Sequence, residues 1–141
     1  MWRTAQQGRK PAAGRVESVE PEDFEEKVVK PSHHQPVVMC IHVPEAAASQ
    51  RMVQLLSELS TRFTHTIFTK MVASEAIARF PPQDAPAVLC YKDGVKVAQF
   101  VQLRAFHGPS TTADDVEWAL AQLGIVSSEM VEDPREAALF D

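Results

Sequence analysis

Residues 37–63 read VVMCIHVPEAAASQRMVQLLSELSTRF, and this stretch decides the fold. Its first part, Val37 to Val43, is apolar almost throughout and rich in β-branched residues, which fits a strand buried on both faces. Pro44 ends that strand. From about Ala46 to Phe63 the period changes: Met52, Leu55, Leu56, Leu59 and Phe63 recur at helical spacing and form one apolar stripe. A helix of this length can carry the chain to a parallel neighbouring strand, because parallel pairing needs a crossover. Ile67, Phe68, Met71 and Val72 mark the receiving strand.

Outward from this unit, strand-like and helix-like patterns alternate, which argues for an α/β layout. On the C-terminal side, 87–91 and 95–101 flank Lys92-Asp93-Gly94. Asp-Gly between two such runs signals a hairpin, because the turn requires positive φ. A helix is expected from about Ala113 to Leu123. Thr112 is its N-cap, Asp114 and Asp115 lie in its first turn, and Gly124 is placed for the C-terminal cap. On the N-terminal side, 14–19 reads as a short strand. Pro21 opens a short helix in which Phe24 and Val28 share one face. Residues 30–36 read as a loop by their prolines, and a short helix at 74–79 must break at Phe80-Pro81-Pro82.

The chain has 141 residues, 45% of them hydrophobic, which suits one domain with a real core. Its net charge of −5 argues against non-specific nucleic-acid binding, which needs a basic surface. No apolar run approaches the ~20 residues of a membrane helix. Cys40 and Cys90 are far apart and sit in apolar surroundings, as expected of reduced, buried thiols in a cytoplasmic protein. The organisation expected is a disordered lead-in over 1–13, one domain over 14–126, and an acidic mobile tail over 127–141.

The order of elements meets specific residues at two points. Ala85-Pro86-Ala87 precedes a strand where thioredoxins carry a cis-proline facing the active-site turn, which makes Pro86 a cis-proline candidate. The 37–63 stretch resembles the thioredoxin strand, active-site turn and long helix. Laid out without gaps, Ala46, Ala47, Ala48 and Ser49 fall on the Cys-x-x-Cys motif, so both thiol positions are lost. Lys70 falls on the lysine that partners a buried acid in thioredoxins, and Cys40 takes the place of that acid. The fold class implied is α/β, thioredoxin-like, with a mixed central sheet of about five strands flanked by helices.

A more specific resemblance is to the phosducin-like proteins, in their short cytosolic, chaperonin-associated branch. It is carried by Gly14-x-Val16-x-x-Val19 with Phe24 and Val28, by Leu56-Ser57-x-Leu59-x-x-x-Phe63, and by Phe80-Pro81 to Pro86. Ala98-Gln99-Phe100, Val116-Glu117-Trp118-x-Leu120 with Gly124-Ile125-Val126, and Glu132-Asp133-Pro134 extend it over roughly residues 14–134. Each motif alone is weak; their order and near-gapless spacing are specific. The resemblance implies a non-enzymatic co-chaperone that modulates chaperonin-assisted folding of actin, tubulin or G-protein β subunits. Its implied partners are proteins: the cytosolic chaperonin, its clients and G-protein βγ subunits. Family members usually carry a long helical N-terminal segment for the G-protein contact, and little precedes the first strand here.

A reactive thiolate needs exposure and an electropositive setting, whereas both cysteines lie inside predicted strands. Ser49 lies near a helix N-terminus, yet no motif places a histidine to activate it, so a surface or capping serine is expected. The five histidines show no zinc spacing, Gly is scarce and no phosphate loop is present, so no metal or cofactor is expected. Trp118 reads as a half-buried anchor or an interface aromatic. Glu129, Glu132 and Asp133 read as a solvated end or as contacts for a basic partner. A monomer is expected. The competing readings are a thioredoxin-like structural adaptor in a larger assembly, ciliary or otherwise, and a divergent thiol oxidoreductase using Cys40 or Cys90.

Overall fold

A computed structural model of the chain describes residues 14–76 and 80–138. The lead-in expected over 1–13 lies outside them. The chain forms strands β1 (Val16–Ser18), β2 (Val37–His42), β3 (Ile67–Val72), β4 (Ala87–Lys92) and β5 (Val95–Val101). Helix α1 (Ala47–Arg62) links β2 to β3, α2 (Ala113–Gln122) follows β5, and a short α3 (Pro134–Ala138) comes last. The strands make one mixed sheet in the order β1-β3-β2-β4-β5, with β1, β3 and β2 parallel and β4 and β5 antiparallel. This is the five-stranded α/β architecture expected.

Every residue of β2 is buried, as its unbroken apolar run demands of a central strand. Successive side chains alternate between two layers. Val38 and Cys40 join Phe68, Val88 and Cys90 beneath α1 and α2, against Met52, Leu55, Leu56, Leu59, Val116 and Leu120. Val37, Met39 and Ile41 join Ile67, Met71 and Leu89 on the opposite face, where Val19 and Val28 cover them. The stripe read from α1 is therefore its buried face, Phe63 lying partly buried just beyond its end.

The β4–β5 hairpin closes through Asp93 (φ 55°) and Gly94 (φ 85°), the two positive angles of a type I′ turn. Ser32 clamps this turn. Its carbonyl accepts from Asp93 N–H at 2.8 Å and its Oγ accepts from Gly94 N–H at 2.9 Å. The 30–36 segment is accordingly more than a loop: Pro31–His33 is a 3-10 turn with Ser32 buried. The expected short helix after Pro21 is also irregular, a 3-10 turn at Pro21–Asp23 followed by a π turn at Glu25–Val29. Of the helix expected at 74–79, a 3-10 turn spans Ala73–Glu75, and 77–79 lie outside the described residues. The last full helix starts as read: Thr112 Oγ1 accepts from Asp115 N–H, and the Asp115 carboxylate accepts from Thr112 N–H, which closes a capping box.

Candidate functional site

The turn between β2 and α1 is where a thioredoxin would carry its thiols. Ala46 is the N-cap of α1 and offers no side-chain cap, while Ala47 and Ala48 are exposed. Ser49 is fully buried, and its Oγ accepts from the Val43 backbone N–H at 2.9 Å. The expectation of a surface or capping serine is thus corrected. Ser49 lies three residues after the N-cap and reaches back past the helix start to hold the end of the strand. Gln50 Nε2 donates to the Pro44 carbonyl at 2.9 Å, and Ala46 N–H donates to the Val43 carbonyl at 2.9 Å. The turn is braced by oxygen and amide groups at the point where a redox enzyme would hold sulfur.

The surroundings keep the thioredoxin arrangement. The Ala85–Pro86 peptide bond is cis, and the Pro86 carbonyl accepts from Gln102 N–H at 2.8 Å. Cys40 and Lys70 are direct neighbours across β2 and β3. Burial pushes the Cys40 thiol up to about 12 even though the Lys70 charge pulls the other way. Burial alone pushes Cys90 up to about 12. Both are free thiols without the exposure or the low pKa that reactivity requires. His42, also buried, is held below its ordinary pKa first by burial and then by Lys70, which favours the neutral ring. It lines two surface depressions, as does Pro44. One of about 680 Å³ runs along α1 past Val53, Ser57 and Lys70; the other, of about 240 Å³, lies over Pro44, Ala73 and Pro82. Among the described residues no group of three His, Cys, Asp or Glu side chains could hold a metal ion.

The other sequence-read residues lie near the C-terminal end. Trp118 is half-buried on α2, and Glu129 and Glu132 are exposed. Asp133 is engaged: its carboxylate accepts from Arg135 at 2.9 Å and 3.2 Å, and this pairing holds it below the usual carboxylate range. Arg135 also donates to the Phe106 carbonyl at 2.7 Å, which ties the segment to the body. Sequence reasoning missed Glu117, 3% exposed on α2, whose Oε2 accepts from Ser128 Oγ at 2.6 Å. Its Oε1 lies 2.9 Å from Arg62 as an ion pair and has no hydrogen-bond donor among the described residues. The available signal was its place between the core residues Val116 and Leu120.

Taken together, sheet order, long crossover helix, cis-proline and braced turn define a thioredoxin-like fold whose β2–α1 turn holds no cysteine. The spinach chloroplast thioredoxin f, long form, superimposes with a TM-score of 0.59 over 80% of this chain and 88% of that one, at 18% identity. No protein-family model matches the sequence. Phosducin-like protein 2 of Dictyostelium discoideum is 40% identical over 86 residues, covering 61% of this chain and 36% of that protein. Phosducin-like protein 3 of Danio rerio is 28% identical over 123 residues (87% and 52%), and that of Mus musculus 25% over 135 residues (96% and 55%). The chain spans about half the length, or less, of these relatives. Its sequence is similar to that of these phosducin-like proteins, and its fold is thioredoxin-like.

Proposed function

We propose that the chain is a non-redox, protein-binding co-chaperone that acts in the cytoplasm on chaperonin-assisted folding of actin, tubulin or G-protein β subunits. One observation carries the non-redox half: Ser49 Oγ, at the second thiol position, is buried and committed to the Val43 N–H. The similarity to phosducin-like proteins supports the co-chaperone half. Among the described residues no helix is long and apolar enough to cross a membrane. Trp118 and the exposed carboxylates of Glu129 and Glu132 are the proposed partner contacts; Asp133 joins them only where its pair with Arg135 opens. Acidic contacts of this kind weaken as salt screens them. The test is a pull-down from cytosol with the tagged chain at low salt. Recovery of chaperonin subunits, reduced at higher salt and in a Glu129→Lys, Glu132→Lys variant, is expected. Recovery of none at low salt contradicts the co-chaperone reading.

A further inference from the structure

We propose that Ser128 is a phosphorylation site, and that its modification releases the segment from Ser127 to α3 from the body of the domain. Glu117 is buried on α2. A carboxylate buried to this degree is costly unless partners stabilise it. It has two: Arg62 on one oxygen at 2.9 Å and the Ser128 hydroxyl on the other at 2.6 Å. Ser128 Oγ also accepts from Met130 N–H at 3.1 Å, so this one hydroxyl organises the start of the segment. Its proton is the donor that a buried charge depends on, which sets it apart from an ordinary surface serine.

The segment is suited to enter a kinase groove. Among the described residues, 127–133 form no helix or strand, Glu129 is exposed and Val131 is 93% exposed. Ser128 itself is half-buried, so its presentation requires the Glu117 bond to open and no helix to unfold. Acidic residues at one, four and five positions beyond it favour a protein kinase with a basic substrate groove. In the transfer, the bond from the γ-phosphorus of ATP to the ADP oxygen breaks and a bond to Ser128 Oγ forms. The hydroxyl proton leaves to the kinase's base, and ADP departs.

The product cannot re-form the contact. The Oγ hydrogen is gone, and a phosphate of about −1.5 to −2 charge stands against a buried carboxylate. Arg62, 52% exposed and stacked on Phe63 with its guanidinium 5.0 Å from the ring centroid, is the cation already paired with Glu117. A phosphate that draws Arg62 away removes the second partner of Glu117 as well.

The test treats the full chain with casein kinase 2 and ATP and locates the phosphate by mass spectrometry. Modification of the parent and of Ser127→Ala at Ser128, with none at that position in Ser128→Ala, is expected. Exhaustive treatment that leaves Ser128 unmodified, or that modifies only Ser127, overturns the site. Separately, phosphoserine is incorporated at 128 during synthesis and amide exchange is followed. Exchange at Met130 is expected to rise about tenfold or more, with tryptic cleavage after Arg135 and with β2 and α1 amides unchanged. The Ser128→Ala chain, which loses the bond without gaining charge, is expected to show a smaller rise. Equal protection in the phosphorylated and parent chains, or loss of protection throughout the domain, overturns the release.

Discussion

Replacing Ser49 by alanine tests whether the β2–α1 turn is a structural brace. The substitution deletes a buried acceptor and leaves the Val43 N–H, 2.9 Å from it in the parent, without its partner. A buried backbone donor left unsatisfied costs about 1–3 kcal/mol. Alanine's better helix propensity offsets a few tenths, roughly 0.5 kcal/mol. The net loss expected is about 1–2 kcal/mol. With a urea slope of roughly 1.5 kcal/mol per molar, the unfolding midpoint falls by about 1 M. Exchange of the Val43 amide quickens in the same variant under native conditions. Ala48→Ser, at an exposed neighbouring position, is the control and changes stability by no more than about 0.5 kcal/mol. A Ser49→Ala chain within about 0.3 kcal/mol of the parent, with Val43 exchange unchanged, refutes the brace.

Three further outcomes follow from the structure. Cys40 and Cys90 have folded-state pKa values of about 12 against a reference of 9, so their contribution is intact below pH 9 and is lost as pH rises from 9 toward 12. A Cys40→Ala, Cys90→Ala double variant should lose less stability than the parent between pH 8.5 and 10.5 in urea titrations; parallel curves count against buried neutral thiols. Gly94→Ala places a Cβ 2.5 Å from the His33 ring at φ +85°, and should destabilise by more than about 1 kcal/mol. His33→Ala in the same chain should recover the steric part but not the backbone strain, and full recovery contradicts the need for positive φ. Thr112→Ala removes one half of the capping box at α2 and should cost about 1 kcal/mol, read from thermal unfolding.

The parts of the fold legible in the sequence are those where one physical demand dominates. The β2 run, the α1 stripe and the Asp93-Gly94 turn each have one good solution, and the structure adopts it. The segments from Pro21 to His33 were less legible, because their geometry is set from outside. The π turn closes through Lys30 N–H to the Glu25 carbonyl, and Ser32 is placed by the hairpin it clamps 62 residues away. The same holds at the site. That the turn from Ala46 to Ser49 holds no cysteine could be read from the sequence, but not the direction in which Ser49 points. A serine at a helix start commonly caps its own helix; this one is turned inward to accept from the Val43 N–H at the strand end. Glu117 was illegible for a related reason: its two partners come from the end of α1 and from the segment after α2, which only the fold brings together.

We propose that a thioredoxin-like fold works here without thiol chemistry. It is tested most directly by insulin reduction with dithiothreitol as electron donor, comparing the chain with its Cys40→Ser and Cys90→Ser variants. The rate expected equals that of dithiothreitol alone, for the parent and for both variants. Clear turnover by the parent that disappears in either variant would contradict it.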